Sequence, residues 1–153
     1  MRKIMCDQML GSLASWLRFI GVDTFYATNT MDDETIMSTA LKENRVLITR
    51  DKELIIRAQK KGISVIPLFS KVLDEQLKDV ISHIDIEKSR ILTRCSLCNS
   101  ILNPIKKEKI KNKVPEKVYL HQSLFWECPV CDKIYWKGSH YDNILKKIQL
   151  LQQ

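Results

Sequence analysis

The chain has 153 residues, 44% hydrophobic and 28% charged, with a formal net charge of +7. This is globular composition, neither disordered nor membrane-like, and the length suits one domain or one domain plus a small module. Met1-Arg2-Lys3 leads into only Ile4 to Cys6 before Asp7, and Gln8 to Leu17 is too short to cross a bilayer. The expectation is therefore a cytoplasmic protein with no secretory leader and no membrane partner.

The first part alternates strand and helix signals. Lys3 to Cys6 reads as a short buried strand, and Leu10, Leu13, Ala14, Leu17 and Ile20 follow helical spacing up to Gly21. Thr24 to Ala27 reads as a second strand, and Asp32 or Asp33 as the N-cap of a helix carrying Ile36, Met37, Ala40 and Leu41. Arg45 to Thr49 is a third strand; Asp51 opens a helix that stops at Gly62. Ile63 to Ile66 is a fourth strand ended by Pro67, and a last helix carries Leu73, Leu77, Val80, Ile81 and Ile84. Strands alternating with helices of this length predict a parallel sheet covered by helices on both faces. The turn after the first strand, Asp7 to Gly11, has one glycine where a dinucleotide fingerprint needs three, which argues against a nucleotide-cofactor enzyme.

From about Ile91 the pattern changes to cysteine pairs, a lysine-rich connector and short β-like pieces. Cys95-Ser96-Leu97-Cys98 and Cys128-Pro129-Val130-Cys131 are separated by 29 residues. Two residues between cysteines let a tight turn aim both sulfurs at one ion, and two such turns close a tetrahedral structural Zn²⁺ site. Asn99 and Asp132, after each pair, tolerate the left-handed backbone such turns need. Four thiolates leave no open position, so a catalytic zinc is not expected. The fifth cysteine, Cys6, reads as a small buried apolar residue.

Charge divides along the same line. Residues 1–93 hold 14 basic and 13 acidic side chains, residues 94–153 hold 11 and 5. A basic small module points to a polyanionic partner, most often nucleic acid, or to an ordinary solubilising surface. Lys107, Lys109 and Lys111 lie in a connector that reads either as a flexible basic loop along a phosphate backbone or as a solvated link. Among the aromatics, Phe125, Tyr135 and Trp136 suit the filling of a small zinc module, with Trp126 or Tyr141 the better candidates for exposure and base stacking.

Asp7 follows the first strand, Asp33 the second across a short loop, and Asp51 the third. In a parallel sheet, ligands bind outside the carboxyl ends of the strands. Three carboxylates emerging there without an obvious basic partner call for a divalent cation, and oxygen ligands suit Mg²⁺ or Mn²⁺. Such a site hydrolyses phosphodiesters. Taken singly, each aspartate is more simply a helix cap. Arg50 reads either as a phosphate contact or as the ion-pair partner of an aspartate; Arg18 reads as a surface or ion-pair residue. His140 follows the ribbon and is a candidate to reach the acidic edge.

These residues carry a specific resemblance. Asp7 to Gly11 with Leu13-Ala14 and Trp16-Leu17-Arg18, then Asp33-Glu34 before Ala40, Leu47 to Asp51 and Glu75-Gln76-Leu77 stand in a recognisable order. Arg94-Cys95, Cys98-Asn99, Val114-Pro115, Phe125, Cys128-Pro129, Cys131 and Tyr135 to His140 continue it. The chain resembles the RNase family named for the carboxy-terminal domain of the mutator-seven exonuclease. That resemblance implies a PIN-like nuclease domain over residues 1–90 and a zinc ribbon with a C-terminal helix over 91–153. It also implies metal-dependent ribonuclease activity with Asp7, Asp33 and Asp51 as the acidic set, and RNA as partner. Read from the residues themselves, Arg50, Lys107, Lys109, Lys111 and His140 are the candidate RNA contacts. Ser12 and Ser15 stand where many relatives carry basic residues. The competing expectation is a non-catalytic RNA-binding zinc-ribbon protein, in which the aspartates are only caps.

Overall fold

The computed structural model describes residues 2–153. Lys3–Cys6 (β1), Thr24–Tyr26 (β2), Arg45–Thr49 (β3) and Val65–Pro67 (β4) form an all-parallel sheet in the order β2-β1-β3-β4. Its helices are Gly11–Phe19 (α1), Asp33–Lys42 (α2), Lys52–Lys60 (α3) and Leu73–Ile81 (α4). The period-two alternation of strand side chains sorts them between two cores. Ile4, Cys6, Val46, Ile48 and Ile66 pack on the side of α1 and α4. Met5 and Leu47 pack on the other, against Ile36, Met37 and Ala40 of α2 and Leu54 and Ala58 of α3. Both faces are covered, which is why the strands read as near-continuous apolar runs. The fourth strand starts two residues later than the pattern suggested and includes Pro67, which an edge strand tolerates.

Helix ends follow the local chemistry. Asp32 caps α2, its Oδ1 accepting the Thr35 N–H at 2.8 Å, so Asp33 is the first helical residue and its carboxylate is left for other partners. Gly21 and Gly62 take positive φ just after α1 and α3.

The second part holds an antiparallel sheet of Asn103–Ile105 (β5), Phe125–Glu127 (β6) and Ile134–Tyr135 (β7). The lysine-rich connector carries local structure. It forms a 3₁₀ turn over Lys107–Ile110 and a short helix Glu116–His121 (α5), anchored by the fully buried Ile110. A last helix, Ser139–Leu151 (α6), sends Ile144 and Ile148 into the α1/α4 core, where Leu92, Cys95, Leu102, Cys128 and Tyr135 also lie. One apolar core therefore runs through both parts of the chain. Among the described residues no helix is long and apolar enough to cross a membrane.

Candidate functional sites: a four-cysteine centre and an acidic sheet edge

The two CxxC turns meet. Sulfurs of Cys95, Cys98, Cys128 and Cys131 all lie within 4.8 Å of one another, and among the described residues they are the one group of three or more metal-ligating side chains so placed. Tetrahedral zinc with Zn–S near 2.3 Å needs sulfurs about 3.8 Å apart, so the set fits the ion. Supporting geometry agrees. Asn99 and Asp132 sit at φ 72° and 59°, and the Cys131 N–H donates to the Cys128 Sγ at 3.2 Å. The Tyr135 hydroxyl donates to the Cys95 Sγ at 3.1 Å. Burial raises the Cys98 thiol, but hydrogen bonds with Ser100, Cys128 and Cys131 outweigh it and bring it down to about 6. Cys131 is pushed up to about 12, chiefly by its bond with Cys98. Cys6 stands apart, fully buried, its thiol pushed well up by burial and by Asp7.

The ribbon is seated on the α/β domain by Arg18, which from sequence reads as a surface or ion-pair residue. Arg18 is buried, 7% exposed, near the end of α1. Its Nη1 donates to the Ser96 and Leu97 carbonyls at 3.2 and 3.1 Å, and its Nε to the Thr24 carbonyl at 3.0 Å. Helical spacing cannot show this, because the acceptors lie 78 and 79 positions away in sequence. Asn99 completes the joint, its Oδ1 accepting the Thr24 N–H at 3.0 Å. Ser15, one turn earlier, faces the same Ser96 carbonyl at 3.4 Å.

At the carboxyl edge of the parallel sheet, Asp7 is 4% exposed. Its Oδ1 accepts the Met9 N–H at 2.9 Å, and its Oδ2 accepts the Thr49 hydroxyl. Asp51 caps α3, its Oδ1 accepting the N–H groups of Glu53 and Leu54 at 2.9 and 3.2 Å. Thr49, which sequence reading passed over as a strand residue, joins the two. Its Oγ1 also accepts the Asp51 N–H at 3.0 Å.

Asp33 is not gathered with Asp7 and Asp51 into a set within 4.8 Å, and no such acidic set is found among the described residues. It does have a basic partner, Arg57 of α3 at 3.1 Å, while Glu34 pairs with Arg57 and Lys61 at 2.6 and 2.7 Å. Arg57 lies six residues along α3 from Asp51, roughly 9 Å by helical rise. A shallow cleft of about 470 Å³ lies there, lined by Gln8, Asn29, Met31, Asp33 and Arg57. Among the described residues Arg50 forms no ion pair with an aspartate, and its buried Nε–H has no acceptor.

His140 is not at the acidic edge. α1 runs back from that edge toward the start of β2, and His140 packs edge-on against Phe19 at the far end of α1, with ring centroids 5.2 Å apart. It borders a groove of about 290 Å³ with Tyr135, Trp136 and Tyr141. Phe125 and Tyr135 are buried as filling, whereas Trp126 and Tyr141 are half-buried and share Lys137, whose Nζ stands 5.5 and 5.2 Å from their rings. Lys109 and Lys111 are exposed; Lys107 lies over the Tyr119 ring at 4.9 Å.

A parallel α/β sheet wrapped by helices on both faces, with a four-cysteine ribbon packed into its core, defines an α/β domain coupled to a zinc-ribbon module. The chain belongs to the Mut7-C RNAse domain family, whose model matches residues 2–148. It is also similar to the human protein described as an exonuclease mut-7 homolog, at 30% identity over 101 residues. That match covers 63% of this chain and 12% of the human protein, so the chain spans a small part of that relative. No solved structure matches.

Proposed function

We propose that this protein is a metal-dependent ribonuclease whose reaction centre is the carboxyl edge at Asp7 and Asp51. The observation that carries the reading is that Thr49 ties the buried Asp7 carboxylate to the backbone N–H of Asp51 at one sheet edge, in a chain of an RNase family. Their donor atoms are hard oxygens, and two carboxylates completed by water and substrate phosphate are what Mg²⁺ or Mn²⁺ accepts. Such an ion supplies a polarised phosphate and a water of lowered pKa. The chain's own residues do the holding. Thr49 and the Met9 N–H fix the Asp7 carboxylate, and helix capping fixes one oxygen of Asp51. Asp33 is ion-paired with Arg57 through Oδ2 and would join the set through its other oxygen. Arg50 and the ribbon lysines Lys107, Lys109 and Lys111 would hold phosphates, the ribbon acting as a basic accessory surface. His140, at the far end of α1, would touch RNA only as part of that surface.

One observation favours the competing reading. Asp51 caps a helix and Asp33 is ion-paired, which is how non-catalytic aspartates behave. In that case the protein binds RNA through its ribbon without cutting it. The test is Mn²⁺-dependent cleavage of a labelled single-stranded RNA by the zinc-loaded protein, wild type beside Asp51→Asn. Asparagine caps a helix about as well as aspartate, so the fold is preserved while a charged ligand is lost. Cleavage by wild type alone is expected. Equal cleavage by both chains removes Asp51 from the site, and salt-sensitive binding without cleavage, unaffected by chelating divalent ions, establishes the binding protein.

A further inference from the structure

We infer that Phe69 is a stacking platform for an unpaired nucleobase, so that the acidic edge takes single-stranded rather than base-paired nucleic acid. The setting rests on the nuclease reading of that edge; the content rests on separate observations. Phe69 is 76% exposed, the most exposed large hydrophobic side chain among the described residues. Scattered exposed aliphatics are ordinary, but this aromatic is held outward by an ordered backbone on both sides. Leu68 is buried and its N–H donates to the Thr49 carbonyl at 2.9 Å. The Ser70 carbonyl accepts from Nε2 of the buried Gln76 at 2.8 Å, and the Ser70 hydroxyl accepts the Val72 N–H at 2.9 Å. Turning Phe69 inward would break these bonds and displace Leu68 from the core.

The position gives the exposure a use. Pro67 pairs with Thr49 in the sheet, so Phe69 follows β4 by the same two residues as Asp51 follows β3. Neighbouring strands are about 4.8 Å apart, and Asp7 continues β1 level with Thr49 and Pro67, so the Phe69 backbone stands roughly 12 Å from that of Asp7. On the opposite flank Met9, 66% exposed, stands two residues beyond Asp7. Between and beside them lie Arg50 with its unpartnered Nε–H and the exposed Lys52 and Lys71, which form no ion pair among the described residues. One aromatic face set among cations and carboxylates matches a chain of alternating phosphates and bases, not an apolar protein surface. A nucleotide whose phosphate is held beside this edge by Arg50, Lys52 or Lys71 would bring a neighbouring base over Phe69. A base inside a duplex has both faces stacked already and offers none.

The test uses the full zinc-loaded chain and an RNA oligonucleotide with a single 2-aminopurine, whose fluorescence falls on stacking. Kd is read without Mn²⁺, and KM and kcat with Mn²⁺, for wild type, Phe69→Ala and Phe69→Tyr. Stacking on an aromatic predicts a loss of about 5- to 100-fold in Kd and KM for Phe69→Ala, with the change in kcat smaller, and restoration by Tyr. The quench should disappear in Phe69→Ala, and a blunt duplex should bind wild type and Phe69→Ala equally weakly. Melting temperatures should coincide, because the side chain buries little. Cleavage by wild type with quench and KM unchanged in Phe69→Ala overturns the inference and leaves the nuclease reading standing. Binding with a Phe69-dependent quench but no cleavage does the reverse. Duplex bound as tightly as single strand overturns the single-strand preference.

Discussion

The Thr49 hydroxyl donates to the Asp7 carboxylate and accepts the Asp51 backbone N–H at 3.0 Å. One side chain thus ties the carboxylate leaving β1 to the cap that starts α3. Its own burial is complete, so water cannot take over either bond.

Replacing Thr49 with valine, which keeps the shape and removes the oxygen, leaves a buried carboxylate short of a donor and an N–H short of an acceptor. The expected loss is about 1–3 kcal/mol, seen as a fall of roughly 3–10 °C in Tm for a chain of this length. Thr49→Ser should retain most of the stability. If valine and serine melt together, the hydroxyl is not what holds Asp7.

The strands, the helices and the cysteine set were legible in the sequence because each rests on local chemistry. Apolar runs at Lys3–Cys6 and Arg45–Thr49, Asp32 and Asp51 at helix starts, and the CxxC spacing need no knowledge of distant contacts. What stayed hidden depends on pairings far apart in sequence. Arg18 looked like one more helical arginine until its carbonyl acceptors on the first cysteine turn were placed. Topology put Asp33 after β2, but the ion pair of its carboxylate with Arg57 joins positions 24 apart in sequence. The lysine-rich connector looked mobile because a single buried isoleucine, Ile110, is a weak pattern signal yet enough to pin it.

Arg18 is the next test, because it couples the ribbon to α1. Burial pulls its guanidinium down from the usual range, while the nearby cysteine sulfurs pull it back up. Arg18→Met should strand three carbonyls and cost about 2–3 kcal/mol. It also removes a cation from beside a four-thiolate zinc centre of net negative charge. Zinc affinity, measured by competition with a chromophoric chelator, should fall by roughly tenfold, the lower end for groups supporting a metal site. Arg18→Lys, a point charge without the planar fork, should restore affinity better than stability. Unchanged zinc affinity in Arg18→Met would show that the contact is only structural.

Gly21 and Gly62 separate backbone conformation from crowding. Both have positive φ, 88° and 79°. A Cβ at Gly21 would stand 2.3 Å from the Arg90 carbonyl oxygen, in the turn that leads into the ribbon, whereas one at Gly62 meets nothing within 4 Å. Gly62→Ala should therefore cost only the left-handed strain, about 1–2 kcal/mol. Gly21→Ala adds a clash with backbone and should cost roughly 2–5 kcal/mol. Urea midpoints compare the two directly, and equal losses would mean that the chain at Arg90 yields freely.

Asp23 sets how the joint responds to acid. Its Oδ1 accepts from Arg45 Nη1 and from Asn99 Nδ2, each at 2.8 Å, and Arg94 stands 3.8 Å from Oδ2. Burial alone would raise this carboxyl, but the bonds from Arg45 and Asn99 and the charges of Arg45 and Arg94 outweigh it and hold it below the usual range. A carboxylate depressed on folding binds its proton more readily when unfolded, so its stabilisation is present above the unfolded value of about 3.9. It is lost as pH falls from there through the lower native value. The difference in unfolding free energy between wild type and Asp23→Asn, with zinc in excess, should be constant above about pH 5 and shrink below about pH 4. Carboxylates common to both chains cancel in that difference. A gap that stays the same down to pH 3 would mean that the bond from Asn99, not the charge on Asp23, is what holds the ribbon to the edge of β2.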